Sequence, residues 1–356
     1  MRILQVTTSN QRRGAEVFAH DLSRGLERLG HVVTTVALEG STDPTALPGV
    51  VLGPGRTRPR TGSALVGAMR ANDVALAHGG PSLLPVALAS AVSGTPFLYR
   101  NIGDPEFWGE VPFASLRIGA PLRRAAGVIA LYERARAFLV ERYRLRPARV
   151  TTASNAVDLD GFPRVDDMAR RRARAELGVD GDAPVLAYLG ALSAEKRPEL
   201  GVEVAAAMTE ARLVIAGDGP LRRAVENEAD RLAPHRVTLL GSWDRPDQVL
   251  AAADILLVPS RTEGVPGALL EAAATGTPVV ATDVGGVGEV IETLGAGVAV
   301  GRDGRIDDLL DATRAVLAEP GRYVSDRAVV AEHHGVDAIA RRYDAAIRAA
   351  VTPPGR

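Results

Sequence analysis

The sequence predicts an α/β protein built as two doubly wound domains with a cleft between them. Three observations carry this. Short apolar runs alternate with helical patterns along the chain. The alternation occurs as two successive series. The length of 356 residues exceeds what a single core usually serves.

The first series opens with ILQVTT, followed by the helical pattern AEVFAHDLSRGLERLG and then VVTTVAL. Residues 41–62, with several prolines and arginines, read as a loop. Then come DVALAH, a helix after Pro81, PFLYRN, GVIALY and RVTTASN. The second series runs APVLAYLG, a helix after Pro198, RLVIAG, a helix after Pro220, RVTLLG, ADILLVPS and PVVATDV. Continuous apolar runs, rather than alternating ones, belong to parallel strands covered on both faces. Proline suits a first helical turn, where its missing N–H would be unpaired anyway. The domain boundary falls in the polar stretch 158–184, which holds Gly161, Pro163 and a basic helix. The expected division is 1–163 and 164–334. The amphipathic stretch at about 335–351 is expected to pack back on the first domain. Ligands of such sheets bind at the C-terminal strand ends, and clefts between domains are favoured sites.

Hydrophobic residues make up 46% of the chain, enough for sizeable cores. A net charge of −1 gives no reason to expect nucleic acid as a partner. The absence of cysteine excludes disulfides and thiolate metal sites. MRILQVTTSN reads as a buried strand rather than a secretory leader, and no apolar stretch has the length of a membrane span. A cytoplasmic protein is therefore expected. The arginine-rich stretch 117–149 reads as a solvated helical face in preference to a contact with acidic lipid.

The most informative segment is 261–291, RTEGVPGALLEAAATGTPVVATDVGGVGEVI. Glu263 lies in the loop after ILLVPS. A helix is expected to start near Pro266, with Glu271 one turn inside it. The backbone N–H groups of Val265, Gly267 and Ala268 gather at that start, where an anion is favoured. Two carboxylates beside an anion seat suit a ligand carrying both phosphate and hydroxyls, since a carboxylate accepts hydrogen bonds from a diol. GALSAEKRPEL places Lys196, the single lysine among 42 basic residues, after the first strand of the second domain. A compact ammonium there suits a diphosphate.

Other motifs are more open. In AGDGPLRR, the turn at Asp218 and Gly219 either approaches a ligand or is a structural turn, with Asp218 as a helix cap. Trp243, in GSWDRPDQV, either stacks on a base or packs into the core. In QRRGAEVFAHDL, Gly14 starts a helix whose N–H groups can face a phosphate. His78 sits at a strand end as either a base or a satisfied structural histidine. YRNIGDPEFW supplies Arg100, Asn101, Asp104 and Trp108, which suit a polyol acceptor or a packed loop equally.

In combination these motifs resemble the retaining family-4 glycosyltransferases. The likeness covers nearly the whole chain and is strongest in residues 237–291, with LAYLGALSAEKRPEL, LVIAGDGPLR and SNAVDLDGFP also matching. The resemblance implies the GT-B fold, two facing Rossmann-like domains. It implies donor binding by Gly14, Lys196, Asp218, Gly219, Trp243, Glu263, Gly264, Val265, Gly267, Leu270 and Glu271. Glu271 would hold the ribose, Glu263 the transferred sugar, and Lys196 with the N–H groups at Gly14 the diphosphate. Glu263 and Lys196, with His78 and Asn101, form the catalytic set, and His78, Arg100, Asn101 and Asp104 the acceptor set. The substrates implied are a nucleotide diphosphate sugar and a hydroxyl-bearing acceptor, with no metal or other cofactor. Three positions depart from the family. Ala191 stands where an arginine is usual, with Arg197 nearby as a replacement to be weighed. Asn101 stands where histidine is frequent, and Arg13 stands where the first of two glycines is usual. The Ala191 and Asn101 departures admit a non-catalytic sugar-nucleotide-binding protein as an alternative, and a GT-B sugar-nucleotide epimerase or phosphorylase is a second reading among enzymes.

Overall fold

The computed structural model describes residues 1–42, 46–108, 118–179 and 181–351. It divides into two compact units. Met1–Ala156 together with the helix Val336–Val351 forms the first, and Val157–Gly335 the second. The division thus falls ahead of the expected 163/164, because the segment after Val157 is bonded into the second unit. Arg164 donates to Ser325 O, and Arg327 donates to Leu159 O and Phe162 O.

Among the described residues the first unit holds seven parallel strands: β1 (Arg2–Ser9), β2 (Val32–Glu39), β3 (Val50–Val51), β4 (Val74–His78), β5 (Phe97–Arg100), β6 (Gly127–Ala130) and β7 (Val150–Thr152). Their order is β3-β2-β1-β4-β5-β6-β7. The apolar runs form strands as expected, since β4, β5 and β6 are buried along their whole length. Residues 41–62 are not all loop: β3 pairs with β2 at Val36–Val50, and a helix spans Pro59–Arg70. The helix Val336–Val351 buries Ile339, Tyr343 and Ile347 against Phe18, Leu22 and Leu26 of the helix Gly14–Arg28. Each such side chain removed from water contributes roughly 1.5–3 kcal/mol.

Among the described residues the second unit holds six parallel strands: β8 (Val185–Leu189), β9 (Arg212–Ala216), β10 (Val237–Gly241), β11 (Ile255–Val258), β12 (Val279–Thr282) and β13 (Gly297–Val300). Their order is β10-β9-β8-β11-β12-β13. The core gathers Leu186, Leu213, Ile215, Ile255, Leu257 and Val280 around the sheet. The basic helix of the boundary stretch, Asp167–Leu177, anchors here, with Arg170 and Arg174 both paired to Asp254 at 2.6 and 2.7 Å. In each sheet the strand order reverses once, at β1/β4 and at β8/β11. A crevice forms outside the strand ends at such a reversal, so the loops after β8 and β11 are the natural binding loops of this unit.

Candidate functional site

The loop after β8 carries Lys196, and the loop after β11 carries Glu263. The two meet: Lys196 Nζ lies 2.6 Å from Glu263 Oε1. The lysine side chain is 30% exposed and that of the glutamate 8%, so the carboxylate is the buried partner. Ser260 Oγ donates to the same oxygen at 2.7 Å. Both donors thus converge on Oε1, and no described residue donates to Oε2. A carboxylate fixed through one oxygen presents the other to a hydroxyl. Ser260 was not singled out from sequence, and the only hint was its place at the end of ILLVPS.

Arg197 holds the two loops together. It has a left-handed backbone, φ +48°, a conformation that costs a non-glycine residue roughly 1–2 kcal/mol. Its guanidinium is buried and donates to the carbonyls of Pro259 (2.6 Å), Ser260 (3.2 Å) and Asp303 (2.9 Å). Three of its five N–H donors are thus held by carbonyls of the protein, so Arg197 braces the β11 loop. Tyr188 supports the other side by donating to Ala191 O at 3.0 Å. Burial, with the charges of Glu263 and Glu199, raises its phenol well above the ordinary range, so it stays a donor.

The helix expected near Pro266 spans Gly267–Thr275, with Pro266 in extended backbone as its cap. Glu271 is half-buried and folds back over the first turn, its Oε1 3.6 Å from where a β-carbon on Gly267 would lie. Glu271 and the helix start are therefore brought together. Gly264 and Val265 are buried, and the carbonyl of Gly264 accepts from Gly286 N at 2.8 Å. This ties the loop to the turn after β12. There Gly285, at φ +58°, would place a β-carbon 1.9 Å from Glu263 O, so the close approach requires glycine. Leu270, also expected in the donor set, has a fully buried side chain.

The turn after β9 packs on the loop after β8. Leu192 N donates to Asp218 O, and Leu221 N to Leu192 O. Gly217, at φ +153°, would bring a β-carbon 1.8 Å from Gly190 O. Asp218 accepts from Gly219 N at 2.7 Å and pairs with Arg222 at 3.4 Å, but it does not cap the helix Arg222–Leu232, which has no side-chain cap bond. Trp243 follows the edge strand β10 and is 38% exposed, which removes the core-packing alternative.

In the first unit, several expected acceptor residues are internal. His78 is 2% exposed. Gln5 donates its amide to Ala19 O and Ser23 Oγ, so its Oε1 must accept from His78 Nε2 at 2.8 Å. The other ring nitrogen, Nδ1, then accepts from Arg100 at 3.4 Å. Burial and the Arg100 charge push the imidazole well below its ordinary pKa. Both nitrogens are engaged and the ring is neutral, so His78 is structural and not a base. Arg100 is 1% exposed. It donates to Tyr343 Oη at 3.0 Å and to Asn155 Oδ1, and lies 3.9 Å from the Phe18 ring centroid. It braces the C-terminal helix rather than lining a site. Asp104 is buried and accepts from Glu106 N and Tyr132 Oη, which makes it a helix-start and loop fastener. Asn101 donates to Gly103 O at 2.8 Å. Gly14 does start a helix, with no side-chain cap from Arg13. Glu16, which carries no motif signal in the sequence, is buried in that first turn. Burial raises its pKa, against the lowering pull of its own amide and of Arg13.

Among the described residues no group of three or more His, Asp or Glu is arranged to hold a metal, and no helix is long and apolar enough to cross a membrane.

Two family models match the chain. The model described as Glycosyltransferase Family 4 covers residues 12–160, and that described as Glycosyl transferases group 1 covers residues 183–319. The chain belongs to the family-4-like glycosyltransferases of the GT-B fold. This family-4-like chain is 33% identical over 207 residues to an alpha-D-kanosaminyltransferase of Streptomyces kanamyceticus, covering 56% of this chain and 53% of that protein. It is 35% identical over 217 residues to a D-inositol 3-phosphate glycosyltransferase of Kribbella flavida, covering 55% and 49%. The chain thus spans about half the length of the curated relatives it matches. In fold it is similar to Anabaena HepE in complex with UDP and glucose, with a TM-score of 0.83 at 19% identity, covering 98% of this chain and 99% of that one. It is also similar to sucrose-phosphate synthase from Thermosynechococcus elongatus, with a TM-score of 0.81 at 21% identity, covering 98% of each.

Proposed function

We propose that the chain is a retaining glycosyltransferase that moves a hexose-type sugar from a nucleotide diphosphate sugar to a hydroxyl acceptor, without a metal. The observation that supports this most is the Lys196–Glu263 pair, 2.6 Å apart at the strand-order reversal of the second sheet. In this reading Glu271 takes the ribose hydroxyls beside the helix start. Glu263 offers Oε2 to a hydroxyl of the sugar, and Lys196 turns toward the diphosphate. The bond from the anomeric carbon to the phosphate oxygen breaks as the bond to the acceptor oxygen forms on the same face. The acceptor's proton passes to the departing phosphate. Cations and helix ends then stabilise the charge that develops on the leaving group, and fixed charges and dipoles of this kind usually contribute most to lowering such a barrier. The names of the relatives point the same way: a kanosaminyltransferase, inositol phosphate glycosyltransferases and a neighbour holding UDP.

The test is incubation with UDP-, GDP-, ADP- and dTDP-hexoses, following release of nucleoside diphosphate and the anomeric configuration of any product. Slow release by the wild-type chain is expected. Glu263→Ala should lower it at least about 100-fold while nucleoside diphosphate still binds. Near-normal release by Glu263→Ala overturns the role of that residue. Binding with no release by the wild-type chain indicates a non-catalytic sugar-nucleotide-binding protein.

A further inference from the structure

Lys196 cannot by itself balance a diphosphate, because its charge is already matched by Glu263 at 2.6 Å. The Lys196–Glu263 pair is neutral as a unit, whereas a diphosphate carries more than one negative charge. Neighbouring positions do not make up the difference. Ala191 has no charge to give. Arg197 spends three of its donors on the carbonyls of Pro259, Ser260 and Asp303. Arg222, beyond the β9 turn, is paired with Asp218 and Glu226. Arg245, after β10, is paired with Asp247.

Arg261 is different. It is exposed, and no described residue pairs with its guanidinium. Its backbone N–H donates to Glu195 O at 2.7 Å. That bond places it directly against the residue before Lys196, and it stands two positions before Glu263. Its positive field is felt at the buried Arg197, whose pKa is depressed by burial and by Arg261. The turn that carries it is held from below by two Arg197 bonds, to Pro259 O and Ser260 O, and by Thr282 Oγ1 on Ser260 O. The same turn buries the Thr262 hydroxyl without a protein partner, and a buried polar group left unpaired calls for an explanation. A guanidinium suits phosphate because its donors form a planar fork that matches two oxygens at once.

We infer that Arg261 is the second cation of the donor site and binds the diphosphate of the nucleotide sugar alongside Lys196. This rests on the donor reading given above. It assigns the second positive charge to the loop after β11, since Ala191 adds none beside Lys196 in the loop after β8. Arg261 is thereby a binding residue for the leaving group, carried on the same turn as Glu263.

The experiment is isothermal titration of the wild-type chain with UDP, GDP, ADP and dTDP. The nucleotide bound best is then compared with its monophosphate and its nucleoside in Arg261→Ala, Arg261→Lys and Arg171→Ala. Arg171 is exposed on the helix Asp167–Leu177 and changes net charge equally, away from the site. Arg261→Ala should weaken the diphosphate about 10- to 100-fold, as expected for a charge-assisted hydrogen bond. The nucleoside should be affected less than about 3-fold, Arg261→Lys should recover part of the loss, and Arg171→Ala should match wild type. Equal diphosphate affinity in wild type and Arg261→Ala overturns the inference. Equal losses for diphosphate and nucleoside, or an equal loss in Arg171→Ala, also overturn it. If the wild-type chain binds none of the four diphosphates, the donor reading itself fails, and that outcome is distinct.

Discussion

Removing either partner of the Lys196–Glu263 pair should destabilise the second unit unequally, and the inequality can be worked out from exposure. Lys196→Ala leaves a carboxylate whose side chain is only 8% exposed, with Ser260 as its remaining donor. Glu263→Gln leaves an ammonium on a side chain that is 30% exposed and can turn to water. A fully buried pair broken on one side costs about 3–5 kcal/mol. Because the lysine is part-solvated and Ser260 stays, about 2 kcal/mol is expected for Lys196→Ala. About 1 kcal/mol is expected for Glu263→Gln, since the amide keeps the shape and one hydrogen bond. The double variant should cost about 1 kcal/mol less than the sum of the two, because only one interaction exists to be lost. The assay is urea unfolding followed by tryptophan fluorescence. The chain has two tryptophans, so Trp108→Phe leaves Trp243 to report on the second unit. Additive costs within about 0.3 kcal/mol, or a larger cost for Glu263→Gln than for Lys196→Ala, refute the reasoning.

Gly285→Ala and Gly295→Ala separate close approach from backbone strain. Their φ values are +58° and +59°, yet a β-carbon meets Glu263 O at 1.9 Å in the first and nothing within 4 Å in the second. Gly295→Ala should cost about 1–2 kcal/mol and leave donor hydrolysis intact. Gly285→Ala should cost about 3 kcal/mol or more and abolish hydrolysis, and equal costs by thermal unfolding would count against the packing argument. His78 is held neutral with its pKa depressed, so the unfolded chain takes up a proton below about pH 6.5 while the folded chain does not. The stability this confers is present above about pH 6.5 and falls as pH falls, at up to about 1.4 kcal/mol per pH unit. From about pH 6.5 to about pH 5.5 the first unit should lose about 1 kcal/mol more in wild type than in His78→Gln, measured by urea unfolding with Trp243→Phe. Donor hydrolysis should be unchanged by EDTA, and recovery only with an added divalent cation would contradict the metal-free proposal.

The fold was legible because parallel strands buried on both faces read as unbroken apolar runs. VALAH, FLYR and ILLV are buried throughout. The pair Val50–Val51 was not legible: two exposed residues of an edge strand carry no periodicity. Glu263 and Glu271 stood out because loop, helix start and charge type coincide in residues 261–291, and Lys196 because it is the single lysine of the chain. What sequence did not reveal was pairing. Nothing in the spacing says that Lys196 and Glu263, 67 residues apart, share a hydrogen bond, or that Ser260 steadies it. His78, Arg100 and Asp104 mark the opposite failure. Polar residues at strand ends suggest a site, but here they are satisfied internally: His78 and Arg100 bond to each other, with Tyr343 from the C-terminal helix on Arg100, and Asp104 accepts from Tyr132.

The most direct measurement is titration of the wild-type and Lys196→Ala chains with a panel of nucleotide diphosphate sugars, followed by calorimetry. One saturable donor should bind the wild-type chain, and Lys196→Ala should bind it at least about 10-fold more weakly. Failure of every donor to bind, or equal affinity in the two chains, would contradict the assignment of the second unit's strand-reversal site to a nucleotide sugar.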